Sequence, residues 1–160
     1  MEWAIAGLLP EVLTPAQVEA SRDHMGLDTQ LVADGTYFLV EDGGHPVGCG
    51  GWSMRATLFG GDHSGGRSAA MLDPARDPAR IRAMYTDPAH TRRGIGRLVL
   101  DAAEAAARKA GFHHLELAAT LSGAPLYRAY GFEVIEPITA RGSNGADVPM
   151  LRMGKPIGPA

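Results

Sequence analysis

Tyr85-Thr86-Asp87-Pro88-Ala89-His90-Thr91-Arg92-Arg93-Gly94-Ile95-Gly96-Arg97 is the stretch on which the reading of the fold turns. A strand-like apolar run stops at Asp87-Pro88, the chain turns through two glycines, and a long alanine-rich helix follows. Gly94 and Gly96 let the backbone come close to a ligand. The helix behind them presents unpaired N–H groups at the positive end of its dipole. Arg92, Arg93 and Arg97 add charge and forked donors suited to phosphate oxygens, so the turn reads as a phosphate cradle.

On either side of the turn the pattern alternates strand and helix. Residues 80–86 form the strand that enters it. Residues 95–110 carry Ile95, Leu98, Val99, Ala102, Ala105 and Ala106 at helical spacing, with Asp101, Glu104, Arg108 and Lys109 mostly opposite, and Gly111 closes that helix. Residues 113–119 alternate, Leu115, Leu117 and Ala119 on one face and His114, Glu116 and Ala118 on the other. Strand, helix, strand calls for a right-handed crossover and a parallel or near-parallel pair. A short helix over 122–130, a stop at Gly131, a strand over 132–135, a Gly-Ser-Asn-Gly turn and a last strand over 147–153 complete the chain.

Upstream, residues 37–41 and 46–52 are strands joined by Asp42-Gly43-Gly44-His45, an antiparallel hairpin. Thr14-Pro15 is an N-cap followed by proline at the first helical position, and predicts a helix to about His24 before Gly26. Residues 2–9 are too few to decide between a short strand and a helical turn, with helix favoured. Residues 58–77, rich in glycine, serine and charge, read as a long surface loop. It holds Asp62 and His63, either as solvated groups or in a substrate or metal role.

Composition narrows the function classes. A chain of 160 residues suits one domain spanning 1–160, and 45% hydrophobic with 21% charged residues is ordinary for a soluble globular protein. The net charge of −3 argues against a general nucleic-acid binder, although the local arginines leave room for an anion site. The single Cys49 rules out an internal disulfide and fits a reducing, cytoplasmic setting. It reads as a small apolar residue in a tightly packed strand rather than a nucleophile. The six histidines have no metal-ligand spacing, so no metal is expected. No apolar run is long enough for a membrane span, and residues 1–10 lack the pattern of a signal peptide.

A dinucleotide fold would need a third glycine after Gly96, and a P-loop would need Gly-Lys-Ser or Gly-Lys-Thr; neither is present. Thr91-Arg92-Arg93-Gly94-Ile95-Gly96 instead resembles the Gln/Arg-x-x-Gly-x-Gly/Ala signature of the GNAT superfamily of acyl-CoA N-acyltransferases. Tyr127-Arg128-Ala129-Tyr130-Gly131-Phe132 matches the family's later Tyr-x-x-x-Gly-Phe mark. The two motifs stand in the family's order, and the resemblance extends over residues 37–153.

The resemblance implies an α/β (α+β) fold: a mixed, mostly antiparallel sheet splayed at its central parallel pair and flanked by helices. The first strand would be shortened into residues 2–6 or missing. It implies acetyl-CoA as cosubstrate, its pantetheine arm against Met84, Tyr85 and Thr86 and its pyrophosphate on the amides of Arg92, Arg93, Gly94, Ile95, Gly96 and Arg97. Thr91 stands at the usual Gln or Arg position. Thr120 stands where the family often has a CoA-contacting Asn, and its hydroxyl or that of Ser122 is an alternative cap for the short helix.

The implied activity is N-acetyl transfer to a primary amine, a small molecule or an amino terminus, by direct attack. Tyr127 protonates the leaving thiolate, a role open to a phenol that stays protonated at neutral pH. Tyr127 as a core aromatic, and the whole chain as a non-catalytic acyl-CoA-binding module, are the alternatives. Glu116, Glu41, His90 and His114 are candidates for the base, each also readable as a solvated or packing residue. The acceptor is expected among the early helix, the hairpin around Trp52 and the 58–77 loop. A missing first strand would leave an edge that a homodimer could cover.

Overall fold

The computed structural model describes residues 1–158. Six strands, β1 (Tyr37–Asp42), β2 (His45–Ser53), β3 (Ala79–Thr86), β4 (His114–Thr120), β5 (Glu133–Arg141) and β6 (Asp147–Pro156), form one sheet in the order β1-β2-β3-β4-β6-β5. Only β3 and β4 run parallel; every other neighbouring pair is antiparallel. The exception follows from connectivity. β3 and β4 are joined by the longest helix, α4 (Ile95–Lys109), and a strand that returns through a helical crossover runs parallel to the one it left.

α4 lies against one face of the sheet and buries Ile95, Val99, Leu100, Ala103 and Ala107. The glycines of β2 let it approach so closely. A Cβ on Gly48 would overlap the Ile95 side chain, and one on Gly50 would overlap the Met84 sulfur and press on Val99. Trp52, Ile81, Phe112, Leu115, Leu117 and Met153 fill the rest of this core. Cys49 is partly buried between those glycines and packs toward the opposite face.

That opposite face is covered by α1 (Glu2–Leu8), α2 (Pro15–Ser21) and the link between them, whose Ile5, Leu9, Leu13 and Ala20 pack with Tyr85, Ala140, Val148 and Met150. Residues 2–8 are helical, so among the described residues no strand precedes Tyr37. Thr14 caps α2 in a full capping box with Gln17, and Pro15 holds the first helical position. The helix stops at Ser21 rather than at His24, and turn hydrogen bonds carry the chain on to Met25. A five-residue helix, α3 (Thr29–Ala33), was not legible because so short a segment shows no period. β5 runs to Arg141, well beyond residue 135. It is an edge strand, where Pro137 is tolerated.

The parallel pair closes only at its start. Ala79 pairs with Leu115 and Arg80 with Glu116, and no later residues of the two strands are paired. Further along, β3 slips register against β2 between the partners Tyr85 and Arg82, and Ala83 takes φ 52°. A bulge of this kind bends and twists its strand. Beyond it β3 and β4 part, and α5 (Ala124–Tyr130) follows β4 on the far wall of the gap.

Gly51 shows how little room the hairpin leaves. A Cβ there would overlap the Thr36 carbonyl oxygen, which accepts the Trp52 N–H at 3.2 Å. Gly51→Ala is expected to cost about 1–3 kcal/mol, the range for forcing a carbon into packed structure. Urea unfolding would report it as a lower midpoint at an unchanged slope; an unshifted midpoint would contradict the tight contact.

Candidate active site

The gap between β3 and β4 opens into a cleft of about 740 Å3. One wall is Met84, Tyr85 and Thr86; the mouth is Thr91, Arg92 and residues 94–97; the other wall is Thr120 and Tyr127. Ala4, Leu8 and Leu9 of the α1 segment complete it. Of Tyr127 and the residues expected to hold the cosubstrate, Arg93 alone stays outside the cleft. Its exposed guanidinium lies 3.1 Å from Asp42 instead.

The mouth has the geometry of an anion cradle. Gly94 is the N-cap of α4 at φ 82°, with no side chain capping the first turn, and the space where its Cβ would sit is open. The unpaired N–H groups of α4 therefore face the cleft end of a 15-residue helix. Arg92 precedes them at φ 61°. Gly96 has a second duty, since a Cβ there would sit 2.6 Å from Leu126, so this glycine also sets how closely α5 packs on α4. Arg97 lies over the Tyr130 ring at 5.7 Å from its centre. These features fit the pyrophosphate of a nucleotide-bearing cosubstrate.

Thr120 lines the cleft, and its hydroxyl accepts the Gly123 N–H at 3.2 Å and lies 3.1 Å from Ser122 Oγ, tying the turn into α5. Tyr127 is buried, with its ring edge-on to Phe132 at 5.9 Å, and burial pushes its phenol well above the ordinary range. Tyr130 is the structural partner: its hydroxyl donates to Asp101 at 2.8 Å and its ring stacks on Phe132. Burial also pushes the Tyr85 phenol up to about 12, against the opposing effect of the Gly26 N–H that its oxygen accepts at 2.9 Å.

A smaller pocket of about 110 Å3 lies on the α1–α2 face of the sheet, walled by Leu13, His24, Phe59, Gly60, Arg82 and Met150 among others. Leu9, Met25, Met84, Tyr85, Thr120 and Tyr127 line both this pocket and the cleft. The two cavities thus meet at the end of the splay, beside Tyr127.

The early helix and the 58–77 loop supply walls, as expected, but Trp52 does not. It is buried in the α4 core, edge-on to Phe112 at 5.9 Å. Nor is the loop a free solvated segment. Arg67 bridges Asp28 at 2.9 Å and Asp62 at 3.2 Å, Asp62 accepts the Thr29 N–H at 3.0 Å, and Arg82 donates to the Gly60 carbonyl. Partial burial works against the Asp62 carboxylate, yet Thr29 and Arg67 hold its pKa below the ordinary value. His63 lies 2.8 Å from the Arg22 carbonyl.

None of the four candidate bases lines the smaller pocket, and only His90 borders the cleft, 3.3 Å from Asp87. Glu116 is 2% exposed and locked between Arg80 and Arg152; Glu41 and His114 are exposed. Asp87 accepts the Ala89 N–H at 2.9 Å and shapes the turn. Sequence reasoning missed His24 and Arg82. The signal for Arg82 was present in a strand whose alternate residues, Arg80 and Arg82, place charge on a covered face.

Residues 6–132 match the model of the acetyltransferase (GNAT) family. No curated protein matches the chain. Among solved structures the fold is shared with a GCN5-related N-acetyltransferase (aminotransferase, class-II) from Rhodopseudomonas palustris, at 20% identity and TM-score 0.66 over 96% of this chain and 83% of that one. It is shared with the ribosomal-protein-S18-alanine N-acetyltransferase of Escherichia coli at 18% identity, TM-score 0.56, over 91% and 88%. It is shared too with yncA of Salmonella typhimurium, solved with its cofactor acetyl-CoA, at 21% identity, TM-score 0.57, over 81% and 69%.

The Tyr85 phenol binds its proton more tightly in the folded than in the unfolded chain. Its contribution to stability is therefore complete below pH ~10, the unfolded value, and is lost as pH rises toward about 12. Denaturant unfolding on both sides of pH ~10 should show a larger alkaline loss in the wild type than in Tyr85→Phe. Equal losses would contradict the buried, bonded phenol.

Proposed function

The chain belongs to the acetyltransferase (GNAT) family, acyl-CoA-dependent N-acetyltransferases, and on that premise we propose that it acetylates a primary amine by direct attack, with Tyr127 as general acid. One observation carries this reading. Met84, Tyr85, Thr120 and Tyr127 border both cavities, so a thioester reaching the inner end of the cleft meets an amine in the smaller pocket beside a phenol.

Acetyl-CoA supplies an activated acyl group that needs no covalent enzyme intermediate. The N–H groups of residues 92–97 receive the pyrophosphate, and the open side of Gly94 lets it approach the backbone. The β4-facing backbone of Met84 to Thr86, which has no ladder partner on that side, holds the extended arm. A β3 N–H beyond the Ala83 bulge polarises the thioester carbonyl.

As the amine nitrogen bonds to the carbonyl carbon and the C–S bond breaks, Tyr127 gives its proton to the departing sulfur. The amine's surplus proton leaves to water, and Tyr127 is reprotonated from the same source. Burial favours a phenol that keeps its proton until the sulfur takes on charge, because a phenolate would be poorly solvated there. The acceptor is an amine on a small molecule or at an amino terminus; the E. coli protein of the same fold is named for an amino-terminal alanine.

Thiol release from acetyl-CoA in the presence of an amine panel tests the proposal. Tyr127→Phe should lower kcat by about 10²–10⁴-fold, the usual worth of a general acid, while calorimetry shows acetyl-CoA binding as in the wild type. Undiminished turnover would remove Tyr127 from the mechanism, and failure to bind acetyl-CoA would remove the cleft.

A further inference from the structure

Among the described residues, Arg82 is the only Asp, Glu, Lys or Arg that borders the smaller pocket. The other walls are largely apolar, with Leu9, Leu13, Phe59, Val148 and Met150 prominent, and no carboxylate lines the pocket. A second positive charge on the acceptor would find no partner there. The volume, about 110 Å3, is somewhat below the ~150 Å3 that holds a benzene molecule in a protein interior, so the body of the acceptor is a few carbon atoms.

Arg82 is itself under-satisfied. Its side chain is 3% exposed. Nη2 donates to the Gly60 carbonyl and lies 2.7 Å from Asp28 Oδ2, but no donor is aligned on that oxygen, and Nε has no partner. Asp28 is shared with Arg67. Burial lowers the Arg82 pKa, Asp28 opposes that shift and Arg67 adds to it. A buried cation with an unused N–H is costly, and a further anionic acceptor would offset the cost.

We propose that the acceptor is a small aminocarboxylate: Arg82 receives its carboxylate, the apolar walls enclose a short aliphatic side chain, and its amino group points at the junction beside Tyr127. Arg82 and Tyr127 both border the pocket, so one small molecule held in it can face the guanidinium with one end and the junction of the cavities with the other. The proposal rests on the acetyl transfer argued above and names its substrate class.

The test compares L-leucine, L-leucinamide and isopentylamine as acceptors for the wild-type protein, with acetyl-CoA binding measured separately by calorimetry. The carboxylate should raise kcat/KM by about tenfold or more over both neutralised analogues, the yield of one charge-assisted hydrogen bond. Arg82→Lys should shrink that ratio while acetyl-CoA binding is retained. Leucinamide used as well as leucine would point to a peptide amino terminus and overturn the proposal. Isopentylamine used equally well would overturn it too, leaving water as the partner of Nε. If acetyl-CoA does not bind, the acetyl-transfer reading falls instead. The wild-type comparison stands whether or not the Arg82 variant folds.

Discussion

Two residue pairs, Ala79 with Leu115 and Arg80 with Glu116, hold the central parallel strands together, and the candidate site lies beyond the point where they let go. The closed end is fastened by charge. Glu116 is buried between Arg80 and Arg152, and Arg152 also reaches Glu136 at 2.9 Å, so the link runs from β3 across β4 and β6 to the edge strand. Such a group stabilises only while complete, because loss of the glutamate would leave buried guanidinium charge without compensation. The open end has no such fastening, and a bulge at Ala83 turns β3 away.

The rest of the chain turns that opening into a site. Glycines on β2 let α4 lie directly on the strands, which brings its N-terminus to the mouth of the splay. The helices before the sheet roof the opposite face and divide the space into a long cleft and a small pocket. The Asp28–Arg67–Asp62 bridge, with Arg82 on the Gly60 carbonyl, holds the 58–77 segment as the pocket's outer wall. The two cavities share six lining residues, Leu9, Met25, Met84, Tyr85, Thr120 and Tyr127, and the proposed two-substrate reaction rests on that geometry: one reactant from each side, with the Tyr127 phenol where they meet.

Much of this was legible in the sequence because it rests on local chemistry. The hairpin, the crossover helix, the parallel pair and the glycine turn each follow from residues near one another, as does the N-cap at Thr14 with Pro15 behind it. Tyr127 and the cradle residues other than Arg93 line one cleft. What escaped depends on distant partners. Arg93 carries the same charge as Arg92 but finds Asp42 on β1. Glu116 looks like a polar residue on an alternating strand until two arginines bury it, and Trp52 is a core residue rather than a pocket wall. The loop of residues 58–77 has no period to read, since side-chain ion pairs to residues far upstream give it shape.

The central claim is that the cosubstrate lies in the splay with its sulfur at the junction of the two cavities. A crystal structure of the protein with CoA tests it most directly. The account predicts the pyrophosphate on the N–H groups of residues 92–97 and the thiol sulfur within hydrogen-bonding reach of the Tyr127 hydroxyl. CoA bound with its sulfur outside the β3–β4 gap, or turned away from Tyr127, would contradict it.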